Sequence, residues 1–372
     1  MQKVERLCLA ALPLLFLTAC ERSTPTELSP TSLAAAAKKP SVSSPTTTVF
    51  ATGLLNPRGI AFSKEGDVYV AEGGTGAGGL STANVCPQDP NPATSGRTGR
   101  VSRIDAGHAV PVVTNLPSSV SSLGAVFGPA DIAFVGPKLY ILENAGCGHG
   151  VPDVPASILE AHDGGWSVVA DLSAFVHANP VAHIPRDFEP DGDWYSLLAQ
   201  GSVLYAIDAN GGQLVSVKPN SGKIDRVIDF SATQGHIVPT TAAEYHGDFY
   251  VGNLQPFPAV SGGSKILDVE HNGQGLSVAA TGFTAVLGVD FDKEGRMYVL
   301  ESFTCAAGQA ACFPNPGSGR VTRVNADGSH DVIVSGLTFA TSMRFGPDGA
   351  MYISNNGYFL PPGAGQMLRV TF

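Results

Sequence analysis

The chain has 372 residues, a net charge of −10 and only 15% charged residues. Gly 44 and Pro 27 make up about a fifth of it, against roughly 12% on average. An apolar content of 43% excludes a disordered chain, the abundance of turn-formers argues against a helical bundle, and the absence of a basic run beyond Lys38–Lys39 excludes nucleic acid as a partner.

The first elements form an address. Lys3 and Arg6 precede the apolar run Leu7–Leu17, which is too short to span a bilayer, and Leu17-Thr18-Ala19-Cys20 follows. This order reads as a secretory signal over residues 1–19, and its end resembles the bacterial lipobox, which implies cleavage before Cys20 and diacylation of its sulfur. Acyl chains on Cys20 would hold the protein on a membrane, exported and anchored at the periplasmic or cell-surface side of the envelope. Residues 20–48, rich in Ser, Thr, Pro and Ala, read as a flexible linker. The folded body is expected over residues 49–372.

That body repeats. Tyr69, Tyr140, Tyr205, Tyr250, Tyr298 and Tyr352 each sit in or beside an apolar-Tyr-apolar context, at intervals of 45 to 71 residues. Periods of this size indicate a propeller or an array. An apolar segment and a tight turn precede each Tyr, as in Gly59-Ile60-Ala61-Phe62 before Ser63–Asp67, or Gly288-Val289-Asp290-Phe291 before Asp292–Arg296. Short strand, turn and short strand make a hairpin. A third strand (Gly99–Asp105, Gly319–Asn325) and a fourth ending in Gly (Val278–Gly282, Val332–Gly336) complete a four-stranded unit. The expected fold is all-β, a six-bladed β-propeller. Val49–Gly53 is a fourth strand that stands before any first strand, and Gln366–Phe372 is a third strand with nothing after it. The N-terminal strand should therefore close the last blade and protect its edge.

ATGLLNPRGIAFSKEGDVYVAE, ATGFTAVLGVDFDKEGRMYVLE, VSGLTFATSMRFGPDGAMYISNN and the central GGWSVVADLSAF resemble the ScyD/ScyE family, exported six-bladed propellers with NHL-like repeats. The resemblance covers residues 49–372. It implies the fold and an exported life, and it carries no assigned activity.

The long connections, among them Gly73–Thr98, Asn144–Pro155, Ser173–Asp193, Leu254–Gly263, Ser302–Ser318 and Asn356–Gly365, should all fall on one face, opposite the tight turns. Function is expected on that loop-rich face. Three residues past each repeat Tyr stand Glu72, Glu143, Asp208, Asn253, Glu301 and Asn355. Placed at the strand ends, these oxygens either surround the channel mouth and hold a cation, for which Ca²⁺ is the match, or cap exposed backbone; capping is the preferred reading. Asp131 is a further ligand candidate, at a strand-1 entry to the channel. Cys86, Cys147, Cys305 and Cys312 remain after processing, and the local pairing 86–147 and 305–312 is expected.

Trp194, Phe257, Phe303, Phe313, Tyr358 and Phe359 crowd the loop face as a pocket or protein-binding patch. HIPRDFEPDGDW, with His183, Asp187, Glu189, Asp191 and Asp193, reads as a solvated acidic loop with a ligand role as its alternative. The function expected is therefore a ligand- or protein-binding scaffold without committed catalysis. The alternative is an enzyme. An SMP-30-like metal-dependent lactonase would need carboxylates at the strand-1 channel entries, where Arg58, Asp131, Ser196, Thr241, Gly288 and Ser342 offer only Asp131. A quinoprotein-like sugar dehydrogenase would need a base there, and the entries hold Arg58 and Arg344 but no His.

Overall fold

A computed structural model describes residues 44–78, 80–81 and 93–372 of the chain. The signal-like segment, Cys20 and Cys86 lie outside the described residues. Strands dominate. Four antiparallel sheets have four strands each in sequence order, starting at Pro129–Val135, Trp194–Gln200, Pro239–Tyr245 and Val286–Phe291. A larger sheet of ten strands contains two runs. One starts at Pro57–Phe62 and the other, from Ser342–Phe345, ends on Thr46–Leu54. A single parallel bridge, Thr52 to His108, joins the two.

The first strands pack in a ring. Pro57–Phe62 lies against Pro129–Val135, that strand against Trp194–Gln200, and so on through Pro239–Tyr245, Val286–Phe291 and Ser342–Phe345 back to Pro57–Phe62. This is a β-propeller around a central channel.

Five of the six repeat tyrosines make ring contacts at the joints between neighbouring four-stranded units. Tyr69 meets Phe134 edge-on at 5.1 Å, Tyr205 meets Phe249 at 4.7 Å, Tyr250 meets Phe291 at 4.8 Å, Tyr298 meets Phe345 at 5.0 Å and Tyr352 meets Phe62 at 5.3 Å. Each ring packs on the next sheet and so buries area from both. Second strands are covered on both faces, which is why Leu139–Leu142 and Leu204–Ile207 read as continuous apolar runs.

The chain closes on itself as the sequence implied: Thr46–Leu54 pairs antiparallel with Gly365–Thr371. This strand starts at Thr46, three residues earlier than the expected boundary at 49. Thr46, Thr47 and Thr48 are β-branched and find partners in Thr371, Val370 and Arg369, so pairing continues into what composition marked as linker. Several expected loops also carry more structure. The third strand of the first run begins at Ala93, inside the predicted Gly73–Thr98 loop. Ser173–Asp193 contains most of the helix Leu172–Ala178, capped by the Asp171 carboxylate accepting from Ala174 N at 2.8 Å.

Candidate functional site

The repeat carboxylates and amides sit where their strands end, and most are caps. Glu72 is fully buried and accepts from Leu55 N at 2.6 Å, from Arg100 through two bonds at 2.7 and 2.8 Å, and from Ser102 Oγ at 2.5 Å. Asp208 accepts from Asp193 N, Gly211 N and Gln213 Nε2. Glu301 accepts from Thr284 N and Arg320, and Asn355 from Thr338 N. Asn253 donates to Ile237 O and accepts from Lys265 N. Each fastens the connection entering its own sheet or the strand beside it. None of them lines the cavity at the channel mouth.

Glu143 breaks the pattern. It is fully buried, and neither carboxylate oxygen has a hydrogen-bond partner among the described residues. The strand register explains why. Glu72 faces Arg100, Asp208 faces Gln213, Glu301 faces Arg320, but Glu143 faces Ser157, whose own hydroxyl is also unpartnered. A short side chain stands where the other repeats supply a long donor. Burial pushes the Glu143 carboxyl well above the ordinary range, with Arg97 opposing only in part.

The channel below is plugged. Asp131 is buried, accepts from Ile132 N at 2.9 Å and Leu197 N at 2.7 Å, and lies 3.7 Å from the Arg344 guanidinium. Burial raises its pKa to about 6 despite that cation. Asp290 also feels Arg344 and accepts from Phe345 N. The remaining space among Gly59, Asp131, Thr241, Leu287 and Arg344 is about 10 Å³. The protein's own Arg344 guanidinium already supplies a cation to the buried Asp131 and Asp290 carboxylates there.

Above the plug the loop-rich face opens into a cavity of about 540 Å³. Its walls include Trp194, Phe257, Phe303, Phe313, Tyr358 and Phe359, the six aromatic residues that the sequence placed on this face. Phe303 is fully buried with Phe257 stacked on it at 6.1 Å, and Phe257 stacks in turn on Phe313 at 6.1 Å. Phe257 is 50% exposed and Phe313 63%, so these rings form a rim that an occupant could cover. A two-stranded ribbon, Ala259–Val260 with Ala311–Cys312, and the Cys305–Cys312 disulfide hold this wall in place. The other expected bridge involves Cys86, outside the described residues. Next to Phe303, Ser302 Oγ lies 2.7 Å from Tyr358 Oη, and burial pushes the phenol up to about 12.

The polar groups of the cavity are few and converge: Arg58, Asn144, Glu189 and Asp193. Arg58 donates to Val126 O at 2.9 Å. Asn144 donates to Asp193 Oδ1 at 2.6 Å and accepts from Trp194 N at 3.2 Å. The acidic segment is thus solvated only in its first half: His183, Arg186 and Asp187 are exposed, whereas the chain from Glu189 to Trp194 is folded inward. Asp191 is buried and accepts from Gly148 N at 2.7 Å, Asn210 clamps the backbone of Glu189 and Asp187, and Trp194 Nε1 donates to Asp191 O. Gly146 and Gly192 allow this: a Cβ at Gly146 would lie 2.3 Å from the Asp191 carboxyl carbon, and Gly192 has φ +72.

The folded segment brings Glu189 and Asp193 beside His149, which lies in the expected loop Asn144–Pro155. One ligand atom from each lies within 4.8 Å of the others. His149 is 2% exposed, its ring 4.4 Å from Phe127. Burial, then the neighbouring Asp193, Asp208, Asp187 and Asp191, holds the Glu189 carboxyl far above its usual range. His183 is not part of this group; it contacts Ser231 O.

No family model and no curated protein matches the sequence. Solved structures do match by shape. An oxidoreductase described as a glucose dehydrogenase from Thermus thermophilus aligns with TM-score 0.53 at 15% identity, over 88% of this chain and 100% of that one. A gluconolactonase from Xanthomonas campestris gives 0.53 at 10% identity, over 87% and 89%. Regucalcin, a calcium-binding protein from Agrobacterium tumefaciens, gives 0.52 at 14% identity, over 87% and 92%. At these identities the likeness establishes the propeller fold alone.

Proposed function

We propose that this chain is a lipid-anchored, extracytoplasmic six-bladed propeller of the ScyD/ScyE type that binds a small amphiphilic molecule in the aromatic cavity of its loop-rich face. The ring of first strands and the repeat tyrosines support six blades, with the ten-stranded sheet counted as two joined at Thr52. Leu17-Thr18-Ala19-Cys20 supports the anchor. The observation that carries the binding reading is the cavity itself: about 540 Å³, apolar and rich in aromatic rings, with Arg58, Asn144, Glu189 and Asp193 as its charged and amide lining. Apolar walls with a few fixed polar groups are the usual make-up of a small-molecule site.

The competing enzyme reading, a metal-dependent lactonase or a sugar dehydrogenase, draws on the shape of the neighbours. The plugged channel weighs against it, since Asp131 is already engaged by two amides and Arg344. The test is titration with an environment-sensitive apolar dye. Saturable binding that weakens in Phe257→Ala/Phe313→Ala at unchanged Tm supports the pocket. Unaltered dye binding in that variant, or EDTA-sensitive hydrolysis of an aldonolactone by the purified chain, would count against it.

A further inference from the structure

We propose that His149, Glu189 and Asp193 form a binding site for one divalent transition-metal ion, best matched by Zn²⁺, on the polar wall of the cavity. The donor set is one imidazole nitrogen and two carboxylate oxygens. That combination suits Zn²⁺ or a neighbour in the series, whereas Ca²⁺ prefers oxygen alone.

Two features beyond the cluster itself support it. Glu189 Oε2 is itself buried, on a side chain that is 36% exposed, and lies 3.6 Å from His149 Nε2 with no hydrogen-bond partner among the described residues. The supporting residues are already fixed: Asn144 holds Asp193 Oδ1, Asp208 accepts from Asp193 N, and Phe127 packs against the His149 ring. Such outer contacts orient metal ligands. One contact must give way: His149 Nε2 lies 2.6 Å from Gly192 O. Binding requires the ring to carry its proton on Nδ1 and release that contact.

Ligand atoms on a tetrahedral Zn²⁺ at ~2.0–2.2 Å stand roughly 3.3 Å apart. The three side chains must therefore draw in from a spread of up to 4.8 Å. Glu189 can do so, being half-buried on a loop between Pro185 and Pro190. Glu189 and Asp193 both line the cavity, so the open coordination position faces it. The site would then anchor a polar or anionic group of the cavity's occupant. This last step rests on the pocket reading; the metal site does not.

The experiment uses the full-length chain in mild detergent, stripped with EDTA and titrated with Zn²⁺ by calorimetry, with bound metal counted by mass spectrometry. The expected result is one Zn²⁺ per chain, a Tm that rises with free Zn²⁺, and Co²⁺ giving the visible bands of a low-coordinate N/O site. Glu189→Gln, which keeps shape and lowers charge, should weaken binding by more than about tenfold, as should His149→Ala. His183→Ala, on the same segment, should bind as the parent does. Absence of stoichiometric Zn²⁺, or equal binding by Glu189→Gln at a parental Tm, overturns the proposal. Dye binding by the metal-free chain is measured alongside, so a failed metal site and a failed pocket are told apart.

Discussion

Replacing Glu143 with Gln should change how stability depends on pH. The native carboxyl is fully buried, opposite Ser157 rather than an Arg or Gln, with neither oxygen partnered among the described residues and its pKa raised by burial. In the unfolded chain Glu ionises near pH ~4.3. Between that value and the raised native one, the native state keeps a proton that the unfolded state has released. Stability contributed at low pH is therefore lost as pH rises, by about 1.4 kcal/mol per pH unit for one proton. Gln is isosteric and has no proton to lose, so its slope across this window is smaller by that amount. Near pH 4 the two should agree within ~1 kcal/mol, since both place a neutral, poorly satisfied group in the same space. Urea unfolding of both chains at pH 4, 5 and 6 reads the difference directly. Parallel lines would mean that Glu143 is ionised in the folded protein, and would refute the claim that it is buried without a partner.

Other expectations follow from particular contacts. Arg344→Met leaves Asp131 and Asp290 buried without their cation and should cost ~3 kcal/mol by urea unfolding, an effect eased by adding Asp131→Asn. Deleting residues 46–54 unpairs Gly365–Thr371 and should destabilise the entire body by several kcal/mol, seen as a lower Tm in one transition. Cys305→Ser/Cys312→Ser opens a short loop and should cost roughly 2 kcal/mol at most, with dye affinity falling more than Tm because the bridge supports the Phe303 and Phe313 wall. Cys20→Ser should leave the protein unacylated and move it from the membrane to the soluble fraction; membrane retention would place the anchor elsewhere.

The propeller was legible because its joints are written in residue types. Tyr recurs where a ring must bridge sheets, and Gly where each hairpin turns with positive φ, as at Gly66, Gly295 and Gly349. The out-of-phase ends showed the closure. The cap role of the residue three past each Tyr was readable as a recurrence. The exception at Glu143 was not, because it depends on Ser157, fourteen residues away and opposite only through register. The aromatic set of the cavity was legible from the loops that carry it. The grouping of His149 with Glu189 and Asp193 was hidden, since about forty residues separate them and tertiary contacts, among them Gly146 and Gly148 against Asp191 and Asn144 on Asp193, fold one segment onto the other. Charge alone suggested solvation, whereas Asn210, Trp194 and Asn144 turn that charge inward.

Occupancy of the cavity is the most direct test of the whole account. The chain should be isolated from its membrane in mild detergent and analysed by native mass spectrometry beside Ala125→Trp, in which an indole fills part of the same cavity. The account predicts a small-molecule adduct on the parent chain, or a saturable one on adding the apolar dye, that is lost in Ala125→Trp at unchanged Tm. An adduct of equal abundance on both chains would contradict it, because the ligand would then lie outside the aromatic cavity.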